Sequence, residues 1–457
     1  MNEYDSSKIK TLLEIYGCVA TDTIEDADII ALNTCNVREK ASEKVYSELG
    51  RIRKAIEKKD TNSIIIVAGC VSQAEGKKIF KRAPWVNIVV GPQSYHTLPD
   101  MINKISYNQK HLYNLEFKQK EKFDSLPIYN LEFKQKEKFD SLPISKNSSS
   151  VSAHITIQEG CNKFCKFCCV PYTRGREFSR PMEEIYRETL GLSSNGAKEI
   201  FLLGQNVNAY RDKSSKNYSL ADLIKKISTI DNIKRIRYTT SHPNDMSEDL
   251  IEAHGSVEKL MPQLHLPIQS GSDKILKHMN RRHTAEKYLE TIEKLKKARP
   301  DICFSTDIIV GYPGETEEDF QDTMSIIKEV KFPQVYSFKY SIRPGTPAAK
   351  MEQISEEIKN DRLQKLQALT KIHQIEFNHK ALNKTLDILL TKKGKYKNQA
   401  TGFSQYMHPV TIDDAEKYIG QIISVKINKI LSNTLKGDIL NFHNTNKNTV
   451  MEHDSSS

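Results

Sequence analysis

The segment 160–168, GCNKFCKFC, carries three cysteines in the spacing C-x3-C-x2-C. Alternating apolar residues over 153–157 predict a strand that ends just before the segment, so the thiols lie on the loop that leaves it. Three thiolates on a cubic four-iron cluster leave one iron open, and an open metal position can bind and activate a small molecule. The spacing therefore predicts that Cys161, Cys165 and Cys168 hold such an iron–sulfur cluster.

Two other interpretations of this loop are weaker. Together with Cys169, the three cysteines could hold a structural zinc, but zinc loops usually add a second C-x2-C pair or a histidine pair, and none follows here. A chance group of buried thiols is disfavoured because Lys163 and Lys166 are interleaved with the cysteines and keep the loop partly in water.

The composition narrows the class of protein. The 457 residues suffice for two to four domains, and 68 Lys and Arg against 58 Asp and Glu give a formal net charge of +10. This surplus favours a polyanionic partner such as RNA, although it could also be an ordinary solvated surface. Eight cysteines that cluster along a long chain are not typical of a secreted disulfide scaffold. With short apolar runs and a polar N-terminus, we expect a cytoplasmic protein without a membrane span.

Residues 1–105 are predicted to form a small α/β domain. Short apolar runs at 28–32, 63–68 and 86–90 are typical of buried parallel strands, and a helix is predicted over 39–58. Cys35 and Cys70 each follow one of the first two strands. Because ligands of open α/β sheets collect beyond the carboxyl ends of strands, we expect these thiols to lie close together and to bind metal. The alternative is a pair of unrelated buried cysteines.

Residues 106–150 are predicted to be a linker. It contains a perfect tandem duplication, YNLEFKQKEKFDSLPI at 113–128 and again at 129–144. Two copies are too few for a repeat architecture, and lengthening a surface loop costs little. We interpret the second copy as a tolerated insertion without function, followed by a flexible hinge at 145–152.

Residues 151–380 alternate predicted strands and helices, which indicates a partial (βα)6 barrel and an α/β fold class overall. The predicted strands are 153–157, 199–203, 235–239, 263–266, 302–309 and 335–340. Polar or glycine-rich turns follow these strands, where barrel enzymes carry their chemistry. The turns are GQN at 204–206, SHP at 241–243, QSGS at 269–272, GYPGET at 311–316 and RPGTP at 343–347.

Residues 381–442 change to short β-type runs with many lysines between them. The predicted strands are 385–391, 400–402, 422–430 and 437–439. A small β-barrel with basic loops is a common RNA-binding module, and the alternative is a solubilising appendage. The tail at 443–457 is expected to be disordered.

The cysteine loop resembles that of the radical S-adenosylmethionine (SAM) enzymes, and nearly the whole chain resembles one family among them, the radical-SAM methylthiotransferases. The similar segments are NTCNVREKA, VAGCVSQAEG, QEGCNKFCKFC, VPYTRG, LLGQNVNAY, LHLPIQSGS and SIRPGTPAA. VREKA and VPYTRG are most similar to the branch that acts on tRNA. The resemblance implies an N-terminal cluster-binding domain, a central radical-SAM barrel and a C-terminal TRAM β-barrel that binds RNA.

The resemblance also implies a mechanism with two [4Fe-4S] clusters and SAM. The cluster on the cysteine loop would cleave SAM to methionine and a 5′-deoxyadenosyl radical, which would remove hydrogen from C2 of a prenylated adenosine next to the tRNA anticodon. The N-terminal cluster would deliver sulfur, and a second SAM would supply the methyl group. The hard chemistry would be the cofactor's, with no catalytic side chain. We further expect a monomer, an electron donor such as flavodoxin or ferredoxin, and an iron–sulfur or sulfur carrier. The residues expected to contact SAM are Gly204, Gln205, Asn206, Ser241 and Gln269.

This chain departs from the family at the second cluster. In the family, that cluster has three cysteine ligands. Cys35 and Cys70 match two of them, whereas the first lies in a GCQMNEYDS-like segment, two residues before the position of Met1. Either the chain starts upstream or sulfur insertion is lost, and Cys18 is expected to be a small buried residue. The alternatives are then an RNA-binding remnant without full activity, or an enzyme that modifies an aspartate of a ribosomal protein.

The remaining cysteines, Cys169 and Cys303, are expected to be packing residues.

Overall fold

The computed structural model describes residues 1–35, 40–59, 63–106, 110–115, 150–212 and 217–440. Most of the duplicated segment, part of the expected hinge and the expected tail lie outside these residues. The chain divides into two compact units, Met1–Gln374 and Ile375–Ser457. None of the helices described is long and apolar enough to cross a membrane.

The first unit begins with a parallel four-stranded sheet in the order β1-β2-β3-β4. The strands are β1 (Ile29–Thr34), β2 (Ile64–Gly69), β3 (Ile88–Val90) and β4 (Leu112–Asn114). The helices are α1 (Asn2–Ile15), α2 (Lys40–Lys59), α3 (Cys70–Glu75), α4 (Lys78–Arg82) and α5 (Leu98–Ser106). The three strands predicted from the sequence are present, and β4 forms within the segment interpreted as linker.

Both faces of this sheet are covered, which explains the continuous apolar runs. Val67 and Val89 belong to a core that includes Leu49 of α2. Ile66 and Ile88, on the opposite face, belong to a second core that α1 and α5 complete. Neighbouring strand residues are therefore buried in different cores, and the sequence pattern shows no polar alternation.

A partial barrel of six parallel strands follows, as the alternating pattern predicts. Its strands form two groups, β5-β8-β9 and β10-β11-β12. They are β5 (Ser152–Thr156), β8 (Glu199–Leu203), β9 (Arg235–Thr239), β10 (Gln263–His265), β11 (Cys303–Val310) and β12 (Gln334–Lys339). A parallel bridge between Ile236 and Leu260 links the two groups. Two short antiparallel strands, β6 (Gln158–Glu159) and β7 (Phe178–Ser179), flank the cysteine loop.

Helices cover the outside of this barrel around one large apolar core. They are α6 (Val170–Arg174), α7 (Met182–Ser194), α8 (Leu220–Ser228), α9 (Glu248–Ser256), α10 (Asp273–His278), α11 (Ala285–Ala298), α12 (Glu317–Val330) and α13 (Glu356–Ala381). Short 3-10 helices lie at Tyr95–Thr97, Val207–Ala209, Pro243–Asp245 and Pro347–Lys350.

The second unit contains a closed five-stranded barrel in the order β13-β14-β15-β17-β16. The strands are β13 (Thr385–Lys393), β14 (Ala400–Ser404), β15 (Pro409–Ile412), β16 (Ile422–Ile430) and β17 (Leu435–Ile439), with a 3-10 helix at Glu416–Tyr418. Apolar residues alternate inward along β16, as a barrel this small requires. Closure depends on Gly402, because a Cβ there would lie 2.1 Å from the Leu389 carbonyl oxygen.

Within the first unit, a buried ion-pair network joins α1 to the barrel. Glu188 of α7 accepts hydrogen bonds from Lys8 at 2.9 Å and from Arg180 at 2.8 Å, and all three side chains are at most 7% exposed. Burial by itself raises the pKa of Glu188, but the charges of Arg180 and Lys8 outweigh it and hold the pKa below its usual value. Glu188 therefore compensates two buried cations at the junction of the two subdomains.

Replacing this carboxylate should loosen the junction. We expect Glu188→Gln to lower the free energy of unfolding by about 3–5 kcal/mol, because it leaves two buried cations without their counter-charge. Urea unfolding followed by circular dichroism measures the loss.

The matched control is Glu183→Gln on the same helix, where an exposed ion pair with Lys226 should contribute less than about 1 kcal/mol. Since a carboxyl with a depressed pKa stabilises the fold above its unfolded pKa and loses this effect as the pH falls, the Glu188→Gln difference should shrink in acid. Equal losses in the two variants would show that the buried network does not hold the junction.

Candidate metal centre

The cysteine loop leaves β6 at Gly160 and is held by contacts along its length. The amide of Cys161 donates to the Gly175 carbonyl at 3.1 Å, and the amide of Cys168 donates to the Cys165 carbonyl at 2.9 Å. On the outer side, the Asn280 side chain donates to the carbonyls of Lys163 (3.0 Å) and Phe164 (3.1 Å). The three cysteines are therefore carried by a fixed loop.

Cys161, Cys165 and Cys168 lie near one another on this loop. Burial raises the pKa of Cys161 to about 12 and that of Cys168 well above its usual value, and in both cases the neighbouring cysteines of the loop add to the rise. The raised pKa values favour the protonated thiols of Cys161 and Cys168, so a metal that binds these two residues must displace protons. Among the residues described, no three His, Cys, Asp or Glu side chains are arranged around a single ion.

The surroundings of the loop fit a cluster that carries negative charge. Arg281, 5% exposed, places its Nη1 3.8 Å from the Cys165 sulfur, while its Nη2 donates to the Pro267 carbonyl at 2.5 Å. An N–H group directed at a ligand sulfur stabilises a thiolate bound to iron. A loop that carries three thiols beside a buried cation has the types of ligand and neighbour that a four-iron cluster with an open iron needs.

Three of the predicted SAM-contact residues lie directly against this loop. Gln205 accepts a hydrogen bond from the Gly160 amide at 2.5 Å, and the amides of Gln205 and Asn206 donate to the Gln158 side-chain oxygen at 3.0 and 3.2 Å. A Cβ at Gly204 would lie 2.6 Å from that oxygen, so a larger residue here would displace the Gln158 side chain. The end of β8 and the start of the cysteine loop therefore form one connected structure.

Ser241 and Gln269 lie at the carboxyl ends of the next strands along the chain. Ser241 follows β9 and is 5% exposed, and its hydroxyl has no hydrogen-bond partner in the part of the chain that the structure describes. Gln269 adopts a φ of +79° and continues the sheet, donating from its amide to the Asp307 carbonyl at 2.9 Å. Both residues therefore lie on turns that follow barrel strands, and their contact with SAM stays a prediction.

Sequence reasoning missed the polar network that ties the loop to β9. The Lys163 ammonium lies 2.7 Å from Asp245, and Asp245 also accepts from the Asn206 side chain at 2.9 Å. The same Asn206 amide donates to Glu177 at 3.0 Å. Polar residues in a turn are a weak signal by themselves, because their partners are distant in sequence.

The N-terminal cysteines occupy adjacent strand ends. Thr34 pairs with Gly69 in the parallel register of β1 and β2, so Cys35 and Cys70 each follow directly after a paired residue. Cys70 is buried, and the Arg174 Nε lies 3.2 Å from its sulfur.

The other cysteines differ in their surroundings. Cys169 was expected to be a packing residue, yet it lies beside the N-terminal pair: burial raises its pKa to about 11, and Cys70 and Cys35 add to the rise. Cys18, expected to be buried, is half-buried and lines a cavity between α1 and β1. Cys303 is buried at the start of β11.

Comparison with known proteins gives a consistent picture. Residues 155–327 match the Radical SAM superfamily, and residues 1–91 match a family described as Uncharacterized protein family UPF0004. The chain is 51% identical to the tRNA-2-methylthio-N(6)-dimethylallyladenosine synthase of Rickettsia rickettsii (strain Sheila Smith), over 96% of this chain and 97% of that protein. It is 52% identical to the protein of the same name from Orientia tsutsugamushi (strain Boryong), over 96% of each.

Among solved structures, a radical S-adenosylmethionine methyltransferase, TsrM, from Kitasatospora setae is similar with a TM-score of 0.52. The similarity covers 76% of this chain and 74% of that one, at 13% sequence identity. At this identity the similarity concerns the fold alone.

The cysteine loop should depend on glycine at its first position. A Cβ at Gly160, where φ is +79°, would lie 2.0 Å from the Arg176 carbonyl oxygen. We expect Gly160→Ala to displace the loop and to lower the iron content after anaerobic reconstitution by about four atoms per chain, the content of one cubic cluster.

The control is Gly196→Ala, where φ is +97° but nothing lies within 4 Å of the added Cβ. This variant should lose about 1–3 kcal/mol of stability from backbone strain and keep its iron. Full iron content in Gly160→Ala, or an equal loss of iron in both variants, would contradict the structural role given to Gly160.

Proposed function

Because this chain belongs to the tRNA-2-methylthio-N(6)-dimethylallyladenosine synthase family of radical-SAM enzymes, we propose that it methylthiolates C2 of a prenylated adenosine next to the tRNA anticodon. The observation that carries this proposal is the identity of 51% over 96% of this chain and 97% of the relative's length. The chain is accordingly a transferase.

The residues proposed to hold the first [4Fe-4S] cluster are Cys161, Cys165 and Cys168. A cluster held by these cysteines would supply the electron for reductive cleavage of bound SAM, which is the source of radical chemistry in this superfamily. The protein's own part is to hold the three sulfurs in place, and the Arg281 N–H near Cys165 supports this role. An electron donor such as flavodoxin or ferredoxin would provide the electron.

The SAM subsite is proposed to extend from the Gly204 turn along the strand ends to Gln269. Gln205 is fixed to the Gly160 amide, so the turn keeps its place relative to the cluster loop. The side-chain oxygens of Asn206 and Ser241 are buried and have no hydrogen-bond partner among the described residues. Buried polar atoms of this kind usually have a partner, and SAM would supply it.

A second [4Fe-4S] cluster is proposed at the N-terminal cysteines, where it would provide the sulfur. Cys35 and Cys70 stand at neighbouring strand ends, and the Cys169 thiol lies beside them. A sulfur or iron–sulfur carrier would be required to restore this cluster after each turnover.

The closed barrel of the second unit is proposed to bind the tRNA backbone. Tyr396 is 69% exposed and stands between Lys395 and Lys397 in the loop that joins β13 to β14. An exposed aromatic ring between two cations suits stacking on a base with charge pairing to phosphate. The anticodon loop is single-stranded, so its bases can be unstacked, and we propose that the target base enters the mouth of the six-stranded barrel in the first unit.

The proposal is tested by replacing the three cysteines of the loop with alanine in the full chain. After anaerobic reconstitution, the parent should hold about eight irons and the variant about four, since each cubic cluster contains four. The variant should produce no 5′-deoxyadenosine from SAM and no methylthiolated tRNA. Iron and sulfide analysis and mass spectrometry of tRNA nucleosides measure these results.

The control is Cys303→Ala, which removes a buried thiol outside both sites and should keep both clusters. If the parent holds only about four irons and the triple variant holds none, only the cluster on the cysteine loop forms. That result would be compatible with SAM cleavage but would reject sulfur insertion by this chain. Methylthiolation of a ribosomal protein in place of tRNA would reject the proposed substrate.

A further inference from the structure

Arg174, the last residue of α6, is a buried cation with three different partners. Its side chain is 2% exposed. Nη1 donates to Glu159 at 2.6 Å, Nη2 donates to Asp5 at 2.8 Å, and Nε lies 3.2 Å from the Cys70 sulfur. These partners lie on three separate segments of the chain.

Two of these three segments belong to the cysteine sites. Glu159 is two residues before Cys161, and Cys70 follows β2 of the N-terminal sheet, whereas Asp5 lies on α1. Arg174 itself is six residues after Cys168. The backbone of Arg174 is also fixed, because its carbonyl accepts from the Gln93 side chain at 3.2 Å. One residue therefore connects the cysteine loop to a thiol of the other site.

The orientation of the guanidinium gives it more than a salt-bridge role. The two carboxylates bind the terminal nitrogens and fix the plane of the group, which leaves the Nε–H directed at the sulfur. A lysine could also pair with the two carboxylates. Its ammonium group rotates freely, however, and has no further N–H donor held in a fixed direction toward the sulfur. The hydrogen bond to sulfur is thus specific to arginine.

We propose that Arg174 is a positioning residue for the N-terminal cluster, which fixes the Cys70 sulfur as an iron ligand and makes the bound cluster easier to reduce. The inference rests on the second cluster of the proposed function. Hydrogen bonds to the sulfurs of an iron–sulfur cluster stabilise the additional negative charge of its reduced form and so raise its reduction potential.

The test uses the full chain with Cys161, Cys165 and Cys168 replaced by alanine, so that any remaining cluster is the N-terminal one. In this background, Arg174→Lys is compared with Arg180→Lys. Arg180 is the matched control because it is also buried at this junction, where it donates to Glu188 and to the Thr156 carbonyl but, among the described residues, is not bonded to a cysteine. For each variant we would measure the iron and sulfide content and the melting temperature. The reduction potential would come from a redox titration followed by electron paramagnetic resonance.

Both lysine variants should lower the melting temperature, because each leaves a buried carboxylate poorly compensated. Only Arg174→Lys should shift the reduction potential, to more negative values, or lose the cluster while Arg180→Lys keeps it. An unchanged potential in Arg174→Lys, or equal shifts in the two variants, would reject the role of Arg174 and leave the second cluster standing. If the background protein itself binds no iron, the second cluster is rejected and the role of Arg174 with it.

A second measurement needs no substitution at Arg174. Labelling the background protein with ¹⁵N-arginine should give a ¹⁵N hyperfine coupling to the reduced cluster, because the Nε–H bonds directly to a ligand sulfur. A reduced cluster without such a coupling would overturn the proposal even if Arg174→Lys does not fold.

Discussion

The burial of charged side chains between the N-terminal sheet and the barrel is the constraint on which the rest of the first unit depends. A buried guanidinium such as that of Arg174 is tolerated only when its counter-charges are close and well directed, and removing one partner typically costs about 3–5 kcal/mol. Its partners Asp5 and Glu159 come from α1 and β6, and Lys8 and Arg180 converge on Glu188 nearby. Because each pair tolerates little displacement, these contacts determine how the two subdomains are placed and hence how far apart the two cysteine sites stand.

The same topological rule places the chemistry in both subdomains. In each parallel sheet the cysteines follow strands at their carboxyl ends, where loops are free to carry polar groups. Gln158 shows how the loops of the barrel become one structure. Its side-chain oxygen accepts from the amides of Gln205 and Asn206, and its nitrogen donates to the Gly160 carbonyl at 2.8 Å. The start of the cysteine loop and the turn after β8 consequently cannot move independently.

Much of this arrangement could be predicted because its signals are local. Buried strands show as apolar runs, and the spacing of Cys161, Cys165 and Cys168 is contained within eight residues. Helix α1 and the short strand β4 were missed, since α1 is only weakly amphipathic and β4 has three residues. The partners of Arg174 could not be found in the same way, because Asp5 and Cys70 are 169 and 104 residues away in sequence. Burial and pairing of this kind follow only from the tertiary structure.

The histidines beside the cysteine loop indicate what the protein itself contributes to the reaction. The rings of His242 and His283 lie 5.7 Å apart, edge to face, and both are buried. Burial, assisted by the charge of Arg281, lowers the pKa of His283 to about 3 and lowers that of His242 further. A lowered pKa favours the uncharged imidazole, which can orient a neighbouring group through a hydrogen bond. Two buried, uncharged rings of this kind suit a reaction whose bond-breaking chemistry would come from a bound cofactor, while the protein's side chains hold and orient the reacting groups.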